Sequence, residues 1–168
     1  MKHLILLLSL SVVSLLASSC GSSGHRGYMT RSYTVRGQHY QPMSVEQALQ
    51  YNQTGTASWY DESKFFGLKR GNTSLGEKVM PWHISAAHKT LPLPCVVKVT
   101  NLSNGKSQKM RVNDRGPFIP GRIIDVTPRA ASKLGFKKHG LTQVRVQVIS
   151  VGDGKYKRKA KRRGWFRW

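Results

Sequence analysis

Only seven carboxylates are spread over the 168 residues of this chain, so each can be weighed in turn for acid–base chemistry. Glu46 falls in a helix-like stretch, Asp61 and Glu62 follow a strand-like run, and Asp153 lies in a basic end segment. Three remain. Glu77 follows a glycine in Gly76-Glu77. Asp114 stands in Val112-Asn113-Asp114-Arg115-Gly116-Pro117, directly after an alternating run and just before Gly-Pro. That context puts it at a sharp turn on a sheet rim, where a carboxyl either caps its own backbone or exchanges a proton with a ligand. Asp125 lies between aliphatic residues in Ile124-Asp125-Val126, so it calls for a structural ion pair, with Arg122 close by in sequence.

Other chemistries are poorly served. His83 and His88 lack a metal-site spacing, and neither His-Glu-x-x-His nor a paired-Cys motif occurs, so no metal or other cofactor is expected. A nucleophile elbow and a Gly-rich phosphate loop are both missing. Cys95 has apolar neighbours in Pro94-Cys95-Val96-Val97, the setting of a packed structural thiol.

The elements that must position these residues read as mainly β. Strand-like runs cover Thr56–Tyr60, Val96–Thr100, Lys109–Val112, Ile123–Val126 and Val144–Val148. Asn104-Gly105 between two of them predicts a tight hairpin, since both residues tolerate positive φ. Two short helices are expected. Ser44-Val45-Glu46-Gln47 fits a capping box, and Thr127-Pro128 reads as N-cap and N1 of a helix closed by Gly135. Many short strands with one or two small helices favour a small closed barrel.

The ends carry a different message. Residues 1–19 have a basic start, an apolar run from Leu4 to Leu16 and small residues before Cys20, the pattern of a lipoprotein signal peptide. On that reading Cys20 is lipidated and anchors the protein to a membrane, with the outer membrane, facing the periplasm, favoured by Gly21. Residues 20–54 then form a tether and an aromatic, turn-rich strap over Tyr33–Pro42, ahead of a domain spanning 55–151. The tail, 152–168, holds eight Lys or Arg and ends in Trp165, Phe166 and Trp168. It is either a solvated end or a contact for an anionic surface. The whole chain carries 28 Lys and Arg, for a formal net charge of +21. For an exported protein this points to anionic lipid or cell-wall polymer rather than nucleic acid.

Several blocks occur together in one order: Gly55-Thr-Ala-Ser-Trp-Tyr60, Thr73-Ser-Leu-Gly-Glu77, Ser85-Ala-Ala-His-Lys-Thr-Leu-Pro92, Arg111-Val-Asn-Asp-Arg-Gly-Pro-Phe118 and Gly121-Arg-Ile-Ile-Asp-Val126. In these the chain resembles the rare lipoprotein A family of cell-wall proteins, over roughly residues 33–150. The resemblance implies a six-stranded double-psi β-barrel. It also implies a lytic transglycosylase that cleaves peptidoglycan glycan strands, preferring strands without stem peptides and leaving 1,6-anhydromuramic ends. The family's functional positions fall on Asp114, Glu77 and His88, with Asp114 ranked first as the acid. Trp59, Tyr60 and Arg115 are expected at the sugar, although barrel packing is an equal reading for the two aromatics. A binding or division-organising lipoprotein on the same fold is the alternative.

Overall fold

The computed structural model describes residues 29–60, 63–64, 69–80, 82–153 and 156–157. The signal segment, Cys20, Asp61, Glu62 and the aromatic end of the tail lie outside the described residues. In chain order the elements are β1 (Tyr33–Val35), β2 (Gln38–Tyr40), α1 (Val45–Gln50), β3 (Asn52–Trp59), β4 (Ser63–Lys64), β5 (Lys69–Arg70), β6 (Ser85–Ala87), β7 (Cys95–Asn101), β8 (Ser107–Asp114), β9 (Arg122–Val126), α2 (Pro128–Leu134), β10 (Leu141–Val151) and β11 (Tyr156–Lys157).

Six strands close on themselves in the order β10-β3-β9-β6-β8-β7, with β7 pairing back onto β10. The ring is mixed. β3 runs parallel to β9 and β6 parallel to β8, and the other pairs in the ring are antiparallel. This is the double-psi β-barrel that the resemblance implied. Period-two alternation builds its interior: Val97 and Val99 on β7, Val112 on β8, Ile124 and Val126 on β9, and Val144, Val146 and Val148 on β10 are all buried. Each fully buried aliphatic side chain contributes roughly 1.5–3 kcal/mol of transfer free energy. Leu91, Leu93, Leu134 and Phe136 fill the remaining interior, and Cys95 is a buried free thiol.

Both helices form where the local signals put them. Ser44 accepts the Gln47 backbone N–H, while the Gln47 side chain accepts the Ser44 N–H, completing the capping box. In α2, Pro128 opens the helix and Gly135, at φ 78°, closes it in the left-handed conformation. Thr127 is the N-cap residue but makes no side-chain cap bond. Its hydroxyl is committed elsewhere, donating to the His83 carbonyl at 2.5 Å and accepting from the Ser85 N–H at 3.4 Å.

Two features differ from expectation. The β7–β8 connection is not a two-residue turn. Pairing stops at Thr100 and Ser107, and only Gly105 of the Asn-Gly pair has positive φ. Asn101 and Asn104 explain the longer loop, because their side-chain carbonyls accept the Ser103 and Lys106 N–H groups two residues ahead. The sixth barrel strand, β6, had no sequence signal. Its three residues, Ser-Ala-Ala, are too few and too small to display a period.

Gly55 is needed where β3 meets β9. A Cβ there would stand 2.7 Å from Cγ2 of Ile123, a methyl bonded directly to the branched β-carbon, with Cδ1 and Cγ1 at 3.1 and 3.2 Å behind it. Gly55→Ala should therefore lower stability by about 1–3 kcal/mol through overpacking. Urea unfolding checks this, and an unchanged midpoint would show that Ile123 moves freely.

Candidate active site

The site is organised by one turn, Thr73 to Glu77. Thr73 is buried, and its hydroxyl accepts the N–H groups of Leu75 and Glu77 at 3.3 and 3.2 Å. Its own N–H reaches the Glu77 carbonyl at 2.7 Å, and Gly76, at φ 78°, lets the chain reverse. The turn docks against the end of β8, where a register shift makes Asn113 the extra residue opposite β6. Bulges of this kind re-aim side chains at a barrel rim. Here Arg111 and Asn113 both reach Glu77, while Asp114 meets Ser74.

The two carboxylates are held in unlike ways. Glu77 is engaged on both oxygens: Arg111 Nη1 lies 2.6 Å from each of them, and Asn113 Nδ2 donates to Oε2 at 2.7 Å. The Arg111 hydrogen bond, opposed by partial burial and reinforced by Asn113, lowers the Glu77 pKa. Asp153 holds the other side of the same guanidinium, accepting from Arg111 Nε at 2.9 Å. Asp114 takes all of its donors on one oxygen. Ser74 N at 2.9 Å, Ser74 Oγ at 2.7 Å and Arg115 N at 2.7 Å all point to Oδ1. Among the described residues nothing donates to Oδ2.

Each carboxylate faces its own depression. Asp114, Thr73 and Ser74 line a cleft of about 490 Å³ that is walled by Tyr33 and Phe118. Glu77 opens onto a second one of about 630 Å³, with Trp82 and Arg129. The turn therefore separates two recesses and presents a different carboxylate chemistry to each.

His88 is not exposed in either recess. It is buried, and Nδ1 accepts the backbone N–H groups of Thr90 and Leu91, both at 3.1 Å. Two donors on Nδ1 place the ring proton on Nε2, which donates to Tyr51 Oη at 2.9 Å. Burial, helped by the charges of Arg115 and Lys89, pushes the His88 pKa down to about 3, so the ring is neutral. Its link to Asp114 is through the backbone: His88 N–H donates to the Asp114 carbonyl at 3.0 Å.

Arg115 is a fastener rather than an open sugar contact. Nη1 donates to the Leu91 carbonyl at 2.6 Å and the Lys89 carbonyl at 3.2 Å, and Nη2 reaches the Met29 carbonyl at 2.7 Å. Its guanidinium carbon lies 5.2 Å from the Tyr33 ring centroid, so it ties the strap to the barrel. Trp59 turns toward the loop after α2, donating to the Lys137 carbonyl at 3.1 Å under the Lys137 ammonium. Tyr60 continues β3, its N–H bonding the Val126 carbonyl. Neither aromatic lines the recess of Asp114 or that of Glu77, which favours the packing reading for both. Asp125 and Arg122 are joined through Ser58 rather than directly. Arg122 donates to the Ser58 hydroxyl, which donates to Asp125. Burial raises the Asp125 pKa against the pull of this bond and of Arg122.

Ser74, Arg111, Asn113 and Tyr51 were missed in sequence. Arg111 and Asn113 carried a signal, being alternate residues on a strand whose intervening Val112 is apolar. Tyr51 carried none. Among the described residues no three His, Cys, Asp or Glu side chains are grouped to hold a metal ion.

A closed mixed barrel with two differently held carboxylates at one rim turn defines the class: a double-psi barrel with acid–base equipment. Residues 52–146 match the family described as lytic transglycolase, and the chain belongs to it. It is 43% identical over 141 residues to the endolytic peptidoglycan transglycosylase RlpA of Rickettsia bellii, covering 82% of this chain and 60% of that one. It is 50% identical over 123 residues to the protein of the same name from a serogroup A strain of Neisseria meningitidis, covering 73% of this chain and 49% of that one. With the namesake from Pseudomonas aeruginosa strain UCBPP-PA14 it shares 50% identity over 117 residues, covering 70% of this chain and 33% of that one. The chain thus spans between a third and three fifths of the length of these relatives.

A neutral buried histidine makes stability depend on pH. The unfolded His88 takes up a proton below its ordinary 6.5, and the folded one does so only near 3. Its contribution is complete above pH 6.5 and is lost as pH falls toward 3. The loss is at most about 1.4 kcal/mol per pH unit. Glu77, whose ordinary value is 4.5, adds to the slope only in more acidic solution. Urea unfolding between pH 6.5 and 4.5 should show the slope in the wild type and a flatter line in His88→Gln.

Proposed function

We propose that this protein is a lytic transglycosylase that cleaves peptidoglycan glycan strands. One observation carries the assignment of roles: Glu77 is engaged on both oxygens and held ionised, whereas Asp114 keeps one oxygen free. A carboxyl with a free oxygen suits proton transfer, and a fixed carboxylate suits stabilisation of positive charge. Protonated Asp114 gives its proton to the glycosidic oxygen as the bond to the muramic C1 breaks. Glu77, on the far side of the turn that separates the two recesses, stabilises the resulting oxocarbenium-like centre through space by its negative charge rather than by contact. Asp114, now a carboxylate, takes the proton of the C6 hydroxyl, and O6 closes on C1 to give a 1,6-anhydro end without water. His88 acts as a positioning residue, holding the backbone that carries Asp114.

The protein is further proposed to work in the bacterial envelope. Cys20 is the lipidated anchor, the outer membrane facing the periplasm is the favoured site, and the basic-aromatic tail contacts an anionic surface. The apolar run before Cys20 and the charge of residues 152–168 support this reading. Strands without stem peptides are the favoured substrate, as the motif resemblance described above implies.

Asp114→Asn should keep the fold and lower cleavage of peptide-free strands by about 10²–10⁴-fold. Glu77→Gln should also slow the reaction and remove the acid limb of the pH–rate profile, because loss of rate at low pH reports the carboxylate that must stay ionised. Products are read by mass spectrometry. Strand binding without anhydro products in the wild type would favour the binding or organising protein instead.

A further inference from the structure

The recess beside Glu77 contains more than that carboxylate requires. Glu77 shares it with Arg111, Asn113, Trp82, His83 and Arg129. The Trp82 side chain is half exposed, at 50%, with the His83 ring edge-on at a centroid distance of 6.2 Å. With half of its surface accessible, the indole offers an apolar face on the rim. Arg129 is exposed and, among the described residues, donates no hydrogen bond and forms no ion pair. It also stands in the first turn of α2, where a cation opposes the helix dipole.

The pair is nonetheless held in position. Thr127 is fully buried, and its hydroxyl gives up a helix cap to bind the His83 carbonyl and the Ser85 N–H. Its own N–H donates to the Ser85 carbonyl at 3.0 Å. Through this residue the segment after Trp82 is stapled to the turn that carries Arg129. Arg111, the other guanidinium in the recess, is committed to Glu77 and Asp153. Arg129 is thus the cation there that remains available to a ligand.

We infer that Trp82 and Arg129 form a sugar subsite that reads an anionic substituent, the indole stacking on a pyranose face and the guanidinium pairing with a carboxylate borne by that ring. This rests on the glycan-cleaving function proposed above. The ligand is a muramic acid residue whose lactyl ether ends in a free carboxylate. Where a stem peptide is attached, that carboxyl is an amide and has no charge to offer Arg129. The subsite therefore supplies a chemical reason for choosing peptide-free strands, located in two side chains outside the proton-transfer machinery. Planar two-point pairing of guanidinium and carboxylate gives such a choice its strength.

The test uses the full-length chain and fluorescent peptide-free glycan strands in two forms, one with native lactyl carboxylates and one with those carboxyls converted to methylamides. Anisotropy titrations give the affinities. The wild type should bind the carboxylate strands about 10-fold more tightly, as expected for one charge-assisted pair. Measured in high salt, which screens the general attraction of the basic barrel for any anionic strand, Arg129→Gln should lower that affinity to the methylamide value without changing binding of the methylamide strands, and Arg129→Lys should restore part of the difference. Trp82→Ala should weaken both strands alike. Equal binding of the two strands by the wild type, or full discrimination in Arg129→Gln, would overturn the subsite. Binding needs no turnover, so the two readings separate. Arg129-dependent discrimination without any cleavage products would keep the subsite and reject the transglycosylase. Cleavage with discrimination unaltered in Arg129→Gln would do the reverse.

Discussion

A buried imidazole that must stay uncharged underlies the rest of this site. His88 follows β6, the shortest strand of the closed ring, and its Nδ1 gathers the N–H groups of Thr90 and Leu91 into a tight reversal. Protonation would turn that acceptor into a donor facing two donors, inside a region already holding Arg115 and Lys89. The reversal presents its carbonyls outward, and those of Lys89 and Leu91 are the ones that Arg115 binds. The Tyr33 hydroxyl also donates to the Lys89 carbonyl, at 2.7 Å. Strap, barrel and the Asp114 backbone therefore converge on the same few peptide groups. The position of the free carboxylate oxygen follows from a hydrogen-bond pattern that only a neutral ring can sustain.

The same economy governs the carboxylates. With so few acids in a strongly basic chain, an unpaired Glu or Asp near the rim would be drawn into whichever guanidinium lay nearest. Arg111 is placed so that it takes Glu77 and Asp153, while the Arg115 side chain is turned away onto carbonyls. Asp114 thus meets Arg115 through its backbone N–H rather than its charge. Spending Arg115 on structure is what leaves the Asp114 side chain outside any ion pair among the described residues.

Much of the barrel was legible because β strands with one buried face must alternate. The valines of β7 and β10 announce themselves in that way, and the capping box of α1 is a purely local device. What escaped had no local cause. β6 is a strand because β8 and β9 flank it, not because Ser-Ala-Ala prefers to be one. The long β7–β8 loop won over the Asn-Gly turn because two asparagine side chains captured backbone donors. Within the site, Asp114 could be singled out from its rim position, and Glu77 and His88 came from family resemblance. Their division of labour lay in the partners Ser74, Arg111, Asn113 and Tyr51, which only the folded chain brings near. Of the residues expected at the sugar, Trp59 and Tyr60 line neither recess, while Arg115 lines the cleft of Asp114 with its guanidinium committed to backbone carbonyls.

Charge on the barrel wall extends the argument beyond the rim. Lys98 on β7 stands directly opposite Lys109 on β8, and both are exposed. Like charges in register across a strand pair cost stability, so the fold gains nothing from this arrangement. Gln147, the residue facing Lys98 from β10, offers no countercharge. A protein with this balance carries a broad positive potential that reaches about 8 Å from its surface at physiological salt. Such a field concentrates an anionic polymer around the whole barrel but cannot choose among its segments. Choice needs short-range contacts of fixed geometry. Among the described residues the two kinds of cation are separate: Lys98 and Lys109 stand exposed on the wall, whereas Arg111 and Arg115 are held at the recesses by hydrogen bonds.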